Sequence, residues 1–270
     1  MGKIHETAIV HASAKLHPSV EIGPYAIIGE DVEIGEGTTV GPHAVVEFAR
    51  IGKNNRLFSS CFVGTAPQDL KFAGEHGLTV MGDNNIVREC VTLNRGTKAS
   101  GETVIGSNCL FCAYAHVAHD CRIGNNVIMV SFSALAGHIE LGDYCVLSAH
   151  VGIHQFVRIG RMAMASAGAL IGKDVPPYCI AQGDRAALRG LNVVGLRRSG
   201  LPREVVKAIK EAYRAMFLSG DTVEAAIGKL KGSSQPPPAQ EMIAFVEAAL
   251  KGRGVTMPAA AGKTEEEVTA

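Results

Sequence analysis

Residues 105–124 read IGSNCLFCAYAHVAHDCRIG, and within them an apolar side chain returns every six positions, at Ile105, Phe111, Val117 and Ile123. The series runs on through Met129, Leu135, Leu141, Leu147, Ile153, Ile159 and Ala165 to Ile171. Upstream the same step leads from Ile4 through Val10, Leu16, Ile22, Ile28, Ile34 and Val40 to Val46, slips by one residue, and resumes at Ile51, Leu57 and Val63. Six is neither the helical 3.6 nor the strand alternation of two. It fits a short strand plus a turn, three such units closing a triangular coil of 18 residues. Strand side chains alternate, so the residue two before each apolar one also points inward. Those slots hold Cys61, Cys109, Ala115, Cys121, Val127, Ser133, Cys145, Val151 and Ala169, which makes four of the seven cysteines small apolar fillers. Cys109-x-x-Cys112 has no second such pair to complete a four-thiolate metal site.

Composition agrees with a solenoid. The 270 residues carry 26 Lys plus Arg and 26 Asp plus Glu, so no bulk charge draws the chain to nucleic acid or an anionic membrane. Apolar residues at 47% exclude global disorder, while 5% aromatics, no Trp and 31 Gly suit an aliphatic core with many tight bends. No apolar run long enough to span a membrane and no leader-like N-terminus are evident, and the chain reads as cytosolic.

The periodicity covers roughly residues 4–175 with one break, TAPQDLKFAGEHGLT (65–79), expected to project as an external loop. Past Pro176-Pro177 it ends. The expected division is a β-solenoid over 1–186, helices over 187–252, and a small, polar, disordered tail over 253–270. Pro202 opens one helix, Asp221 with Glu224 suggests a capping box for a second, and a third follows Pro236-Pro237-Pro238 and ends near Gly252.

Five histidines, 116, 119, 138, 150 and 154, fall outside the inward slots. Residues 18 apart occupy adjacent rungs about 4.8 Å apart. His119 therefore stacks beside Gly137, Gly137 beside Gln155, and Asp120 beside His138. A base, a backbone amide unshielded by a Cβ, and an acid–histidine pair on one patch suit acyl transfer: one group takes a hydroxyl proton while another steadies an oxyanion.

FCAYAHVAHDCRIG (111–124), PQDLKFAGE (67–75), LNRGT (93–97), AGHIELGD (136–143), IHQFVRIG (153–160) and DVPPYCIAQGD (174–184) closely resemble the UDP-N-acetylglucosamine 3-O-acyltransferase family, in the family's order and over most of the chain. The resemblance implies an all-β solenoid, a left-handed parallel β-helix of hexapeptide repeats with a C-terminal α-helical domain. It implies a cytoplasmic homotrimer with sites between subunits, needing no cofactor and no metal. Such an enzyme transfers an (R)-3-hydroxyacyl group from acyl carrier protein to the 3-hydroxyl of UDP-N-acetylglucosamine, the first step of lipid A synthesis. By position, His119 becomes the general base, Asp120 its orienting partner and Gly137 the oxyanion amide. Asp69, Lys71, His116, His138, His154 and Gln155 match substrate-site positions, and Asn192 and Arg198 match residues that reach the nucleotide. The stacking count alone pairs Asp120 with His138. Departures from the family pattern stand at Asn94, where histidine is common, and at Val194 and Ser199, where acidic and basic residues are frequent. From Arg185 to Arg214 eight basic residues face two acidic ones, a plausible dock for an acidic carrier protein. Two other readings remain: a histidine–zinc hexapeptide enzyme of carbonic-anhydrase type, suggested by His116-x-x-His119 and His150-x-x-x-His154, and a non-catalytic nucleotide-sugar-binding β-helix.

Overall fold

The structure, a computed structural model, describes residues 3–259. Its strands are mostly two residues long, and up to the last coil each pairs in parallel with the third strand after it rather than the next. Ile9–Val10 pairs with Ile27–Ile28, and His116–Val117 pairs with Ala134–Leu135, which pairs with Gly152–Ile153 and then Leu170–Ile171. The result is three flat sheets of nine, eight and ten strands wrapped around one prism. Every periodic residue from Ile22 to Ile171, and every inward slot named above, is buried in that prism. Burial pushes the thiols of Cys61, Cys121 and Cys145 up to about 12 and that of Cys109 to about 11, so these are unreactive packing groups.

The coil corners have two local causes. The first is a residue in the left-handed region three positions after the apolar one in many repeats, such as Asn108 (φ 60°), Asp120 (60°), Asn126 (58°) and His138 (62°). Asn and Asp tolerate that conformation better than most non-glycine residues, and one corner carries Asn54, Asn84, Asn108 and Asn126 in succession. The second is close stacking of turns. A Cβ on Gly106 would lie 2.6 Å from the Gly124 carbonyl oxygen, so the glycine after an apolar residue serves contact with the next coil.

The one-residue slip is a short coil, with Val32 paired to Ala49. The loop at 66–77 leaves the solenoid between the strands Phe62–Thr65 and Leu78–Met81. A second interruption, invisible in the sequence, lies at 95–101: Leu93 pairs with Val117, six residues more than a regular coil allows. Six extra residues preserve the period, which is why counting by sixes passes over them.

Beyond the last coil, Cys179–Gln182 and Ala187–Leu191 form an antiparallel hairpin, so residues 187–191, expected among helices, are a strand. Among the described residues four helices follow: α1 (Val193–Arg198), α2 (Arg203–Phe217), α3 (Val223–Lys231) and α4 (Pro237–Lys251). The N-cap of α3 is Thr222, which accepts from the Ala225 N–H; Asp221, the expected cap, pairs instead with Lys229. Tyr178 and Arg161 of the last coil both bind Glu241 of α4, at 2.8 and 3.3 Å, which ties the helices to the solenoid. Residues 253–259, expected to be disordered, pack back on the coil end, with Val255 and Thr256 buried; the rest of that tail, 260–270, lies outside the described residues. Among the described residues no helix is long and apolar enough to cross a membrane.

Candidate active site

His119 follows the strand His116–Val117 and sits just before a left-handed corner at Asp120. That corner turns the Asp120 carboxylate back onto its own neighbour. His119 Nδ1 lies 2.7 Å from Asp120 Oδ2, whereas His138 Nε2 is 3.8 Å from the same oxygen. The partner of Asp120 is therefore His119, not His138 as the rung count suggested. The His138 ring instead stands at 90° to that of His119, centroids 5.2 Å apart, and stacks flat on Phe156 at 4.5 Å.

The second interruption supplies what holds Asp120. Thr97 donates its N–H (3.1 Å) and hydroxyl (2.8 Å), Ser100 donates its N–H (3.3 Å) and hydroxyl (2.5 Å), and Thr103 Oγ1 accepts the Asp120 N–H. Burial alone would raise the carboxyl's pKa, but the hydrogen bonds from Ser100, His119 and Thr97 outweigh it and bring the value down to about 2. A carboxylate held anionic beside Nδ1 fixes the imidazole proton there and turns Nε2, a lone-pair base, toward the cavity. Thr97 and Ser100 were missed at the level of sequence; the signal was the RGT run on an insertion that keeps the period.

Gly137 lies where the rung count put it. A Cβ there would sit 2.6 Å from His119 Cε1 and 2.8 Å from Nε2, so only glycine leaves the ring its place. The Gly137 N–H meets no acceptor among the described residues. His119 and Gly137 line a cavity of about 1520 Å³ together with Asp69, Lys71, His116, His138, His154 and Gln155. The 66–77 loop forms its rim, with Asp69 Oδ2 4.0 Å from His119 Nε2. Buried Arg95 pins that loop by stacking on Phe48 (4.2 Å) and Phe72 (5.4 Å) and donating to the Gly64 carbonyl. His116 bonds Thr92 at 2.6 Å, and burial, then the charge of His119, lowers its pKa below that of a free imidazole.

Some of the expected residues are not brought together. His150 belongs to another corner, stacked on Phe132, which stacks on Tyr114. Asn192 caps α1, its amide bound to Gly195 N and Met162 O, and Arg198 ends that helix; neither lines the cavity. His119, Asp120 and His138 could place ligand atoms within 4.8 Å of one another. Asp120 fits a metal poorly, however, because both its oxygens are already occupied by Thr97, Ser100 and His119.

Residues 174–256 match the profile of the UDP-N-acetylglucosamine O-acyltransferase second domain, and residues 102–137 match bacterial transferase hexapeptide repeats. The chain is 46% identical over 207 residues to an acyl-[acyl-carrier-protein]–UDP-N-acetylglucosamine O-acyltransferase of Myxococcus xanthus, covering 75% of this chain and 79% of that one. It is 43% identical to the protein of the same description from Aliarcobacter butzleri, over 73% and 76% of the two chains. Among solved structures it resembles a Francisella novicida UDP-N-acetylglucosamine acyltransferase, with TM-score 0.92, 36% identity and 99% of each chain covered.

Proposed function

The chain belongs to the UDP-N-acetylglucosamine O-acyltransferase family, and from that premise we propose that it transfers an (R)-3-hydroxyacyl group from acyl carrier protein to the 3-hydroxyl of UDP-N-acetylglucosamine, opening lipid A synthesis in the cytoplasm. The single observation that carries the mechanism is the His119 ring lying against Gly137 at the cavity wall with its Nδ1 bonded to Asp120. His119 Nε2 removes the 3-hydroxyl proton, and the alkoxide oxygen bonds to the thioester carbonyl carbon. The oxyanion so formed accepts from the Gly137 N–H, a donor with no acceptor among the described residues. The C–S bond then breaks, and the carrier's thiolate takes the proton from the imidazolium. The reaction needs no enzyme nucleophile, and the buried, high-pKa cysteines agree with direct transfer.

Asp69, Lys71, His116, His138, His154 and Gln155 would contact the two substrates along the cavity. Asn192 and Arg198 stand away from it within one chain, so their part in nucleotide binding requires a second subunit, in keeping with a trimer whose sites lie between chains. The basic run Arg185–Arg214 includes the exposed face of α2 and suits an acidic carrier; its KM should rise with salt, and a salt-independent KM would contradict that dock. The reading is tested by mixing the protein with UDP-N-acetylglucosamine and a panel of (R)-3-hydroxyacyl carrier proteins and weighing the product. A nucleotide sugar heavier by one hydroxyacyl group supports it. No acylated sugar from any donor would sink it.

A further inference from the structure

The chain after α4 returns to the solenoid and walls one end of the cavity. Asp174 donates its N–H to the Gly254 carbonyl (3.0 Å), Thr256 to the Asp174 carbonyl (2.8 Å) and Leu188 to the Met257 carbonyl (2.9 Å). Residues 254–257 thus run as an added edge beside the last coil, and Thr256 and Met257 line the cavity. The anchor is firm, because buried Asp174 accepts from the Arg158 guanidinium at 2.7 and 2.8 Å.

Where this strap leaves α4, Arg253 brings a guanidinium nitrogen within 2.7 Å of His154 Nδ1, with its Nε 3.4 Å from the Gly172 carbonyl. A guanidinium has no lone pair to offer and donates only. His154 Nδ1 must therefore accept, which leaves the ring's proton on Nε2. The Gln155 carbonyl, 3.3 Å from the same Nδ1, would ask for the opposite tautomer; the shorter contact to a charged donor is the stronger. At this end of the cavity Lys173 and Arg185 outnumber Asp184, so an anion is the favoured guest.

We infer that Arg253 is a positioning residue: it fixes the His154 ring with Nε2–H free to donate into the cavity, where it meets a pyrophosphate oxygen of the nucleotide sugar. The identity of that guest rests on the acyltransferase reading above; the state of the ring does not. In the full-length protein, Arg253→Ala should raise KM for UDP-N-acetylglucosamine roughly tenfold. It should leave the KM for the acyl carrier protein unchanged and kcat within about threefold. His154→Ala should do the same, and the double variant should be no worse than His154→Ala, since both remove one interaction. Arg253→Lys should recover part of the loss, because an ammonium also donates to Nδ1. Additive effects, or a loss confined to the acyl carrier protein's KM, would overturn the assignment. Nitrogen NMR of histidine-labelled protein decides the ring without catalysis: His154 Nδ1 should be unprotonated in the parent protein and lose that signature in Arg253→Ala. Should the parent acylate nothing, the functional reading fails while this spectrum still stands; a proton on Nδ1 in the parent protein would refute the role of Arg253.

Discussion

His119 and Gly137 are neighbours because a coil of 18 residues puts them on successive rungs, and that adjacency was legible from counting alone. The partner of Asp120 was not. A rung count says which backbones stack, but a corner residue at φ 60° can swing its side chain back along its own rung, as Asp120 does. Two expectations follow at this scale. Gly137→Ala would bring a methyl to 2.6 Å from the His119 ring and force it aside. A displacement of this kind should lower kcat by about 10–10² with melting temperature little changed; turnover within threefold of the parent would show that the ring has slack. Asp120, with a folded pKa of about 2 against an unfolded value near 4, adds on the order of 2 kcal/mol that is fully present above about pH 4. The contribution disappears as pH falls through the folded value. The gap in unfolding midpoint between the parent and Asp120→Asn should therefore narrow from about pH 4 to about pH 2, and a pH-independent gap would rule the cradle out as its source.

At the level of elements, the solenoid was readable because each strand is one period of a repeat with a fixed inward pair. The excursion at 95–101 was hidden by its length, which matches that period, and it carries the Thr97 and Ser100 that hold Asp120. The strand Ala187–Leu191 and the short helix α1 were also unread, since pairing with Cys179–Gln182 and the bonds of Asn192 to the last coil decide them, while the Thr222 cap lies one residue from the Asp221 that the local pattern favoured. The corners make their own prediction. Asn126 holds φ 58°, where a β-branched residue is strained, so Asn126→Val should destabilise by roughly 1–2 kcal/mol. Asn126→Gly should leave stability nearly unchanged. Equal melting temperatures for the two variants would remove left-handed strain from the account of the corners.

For the whole molecule, the left-handed parallel β-helix sets residues from separate rungs, a loop and the C-terminal strap around one cavity, while leaving Asn192 and Arg198 outside it. The sequence could give the family's assembly only through resemblance, because period and phase describe one chain. A trimer predicts a sedimenting mass about three times that of the chain, and specific activity that falls once dilution passes the dissociation point. A fully active monomer would refute shared sites.

The central claim is that His119 is the proton acceptor in direct transfer. The most direct test is steady-state turnover of His119→Ala, verified as folded by circular dichroism. The account predicts a fall in kcat of roughly 10²–10⁴ with both KM values little changed. Turnover within threefold of the parent protein would contradict it.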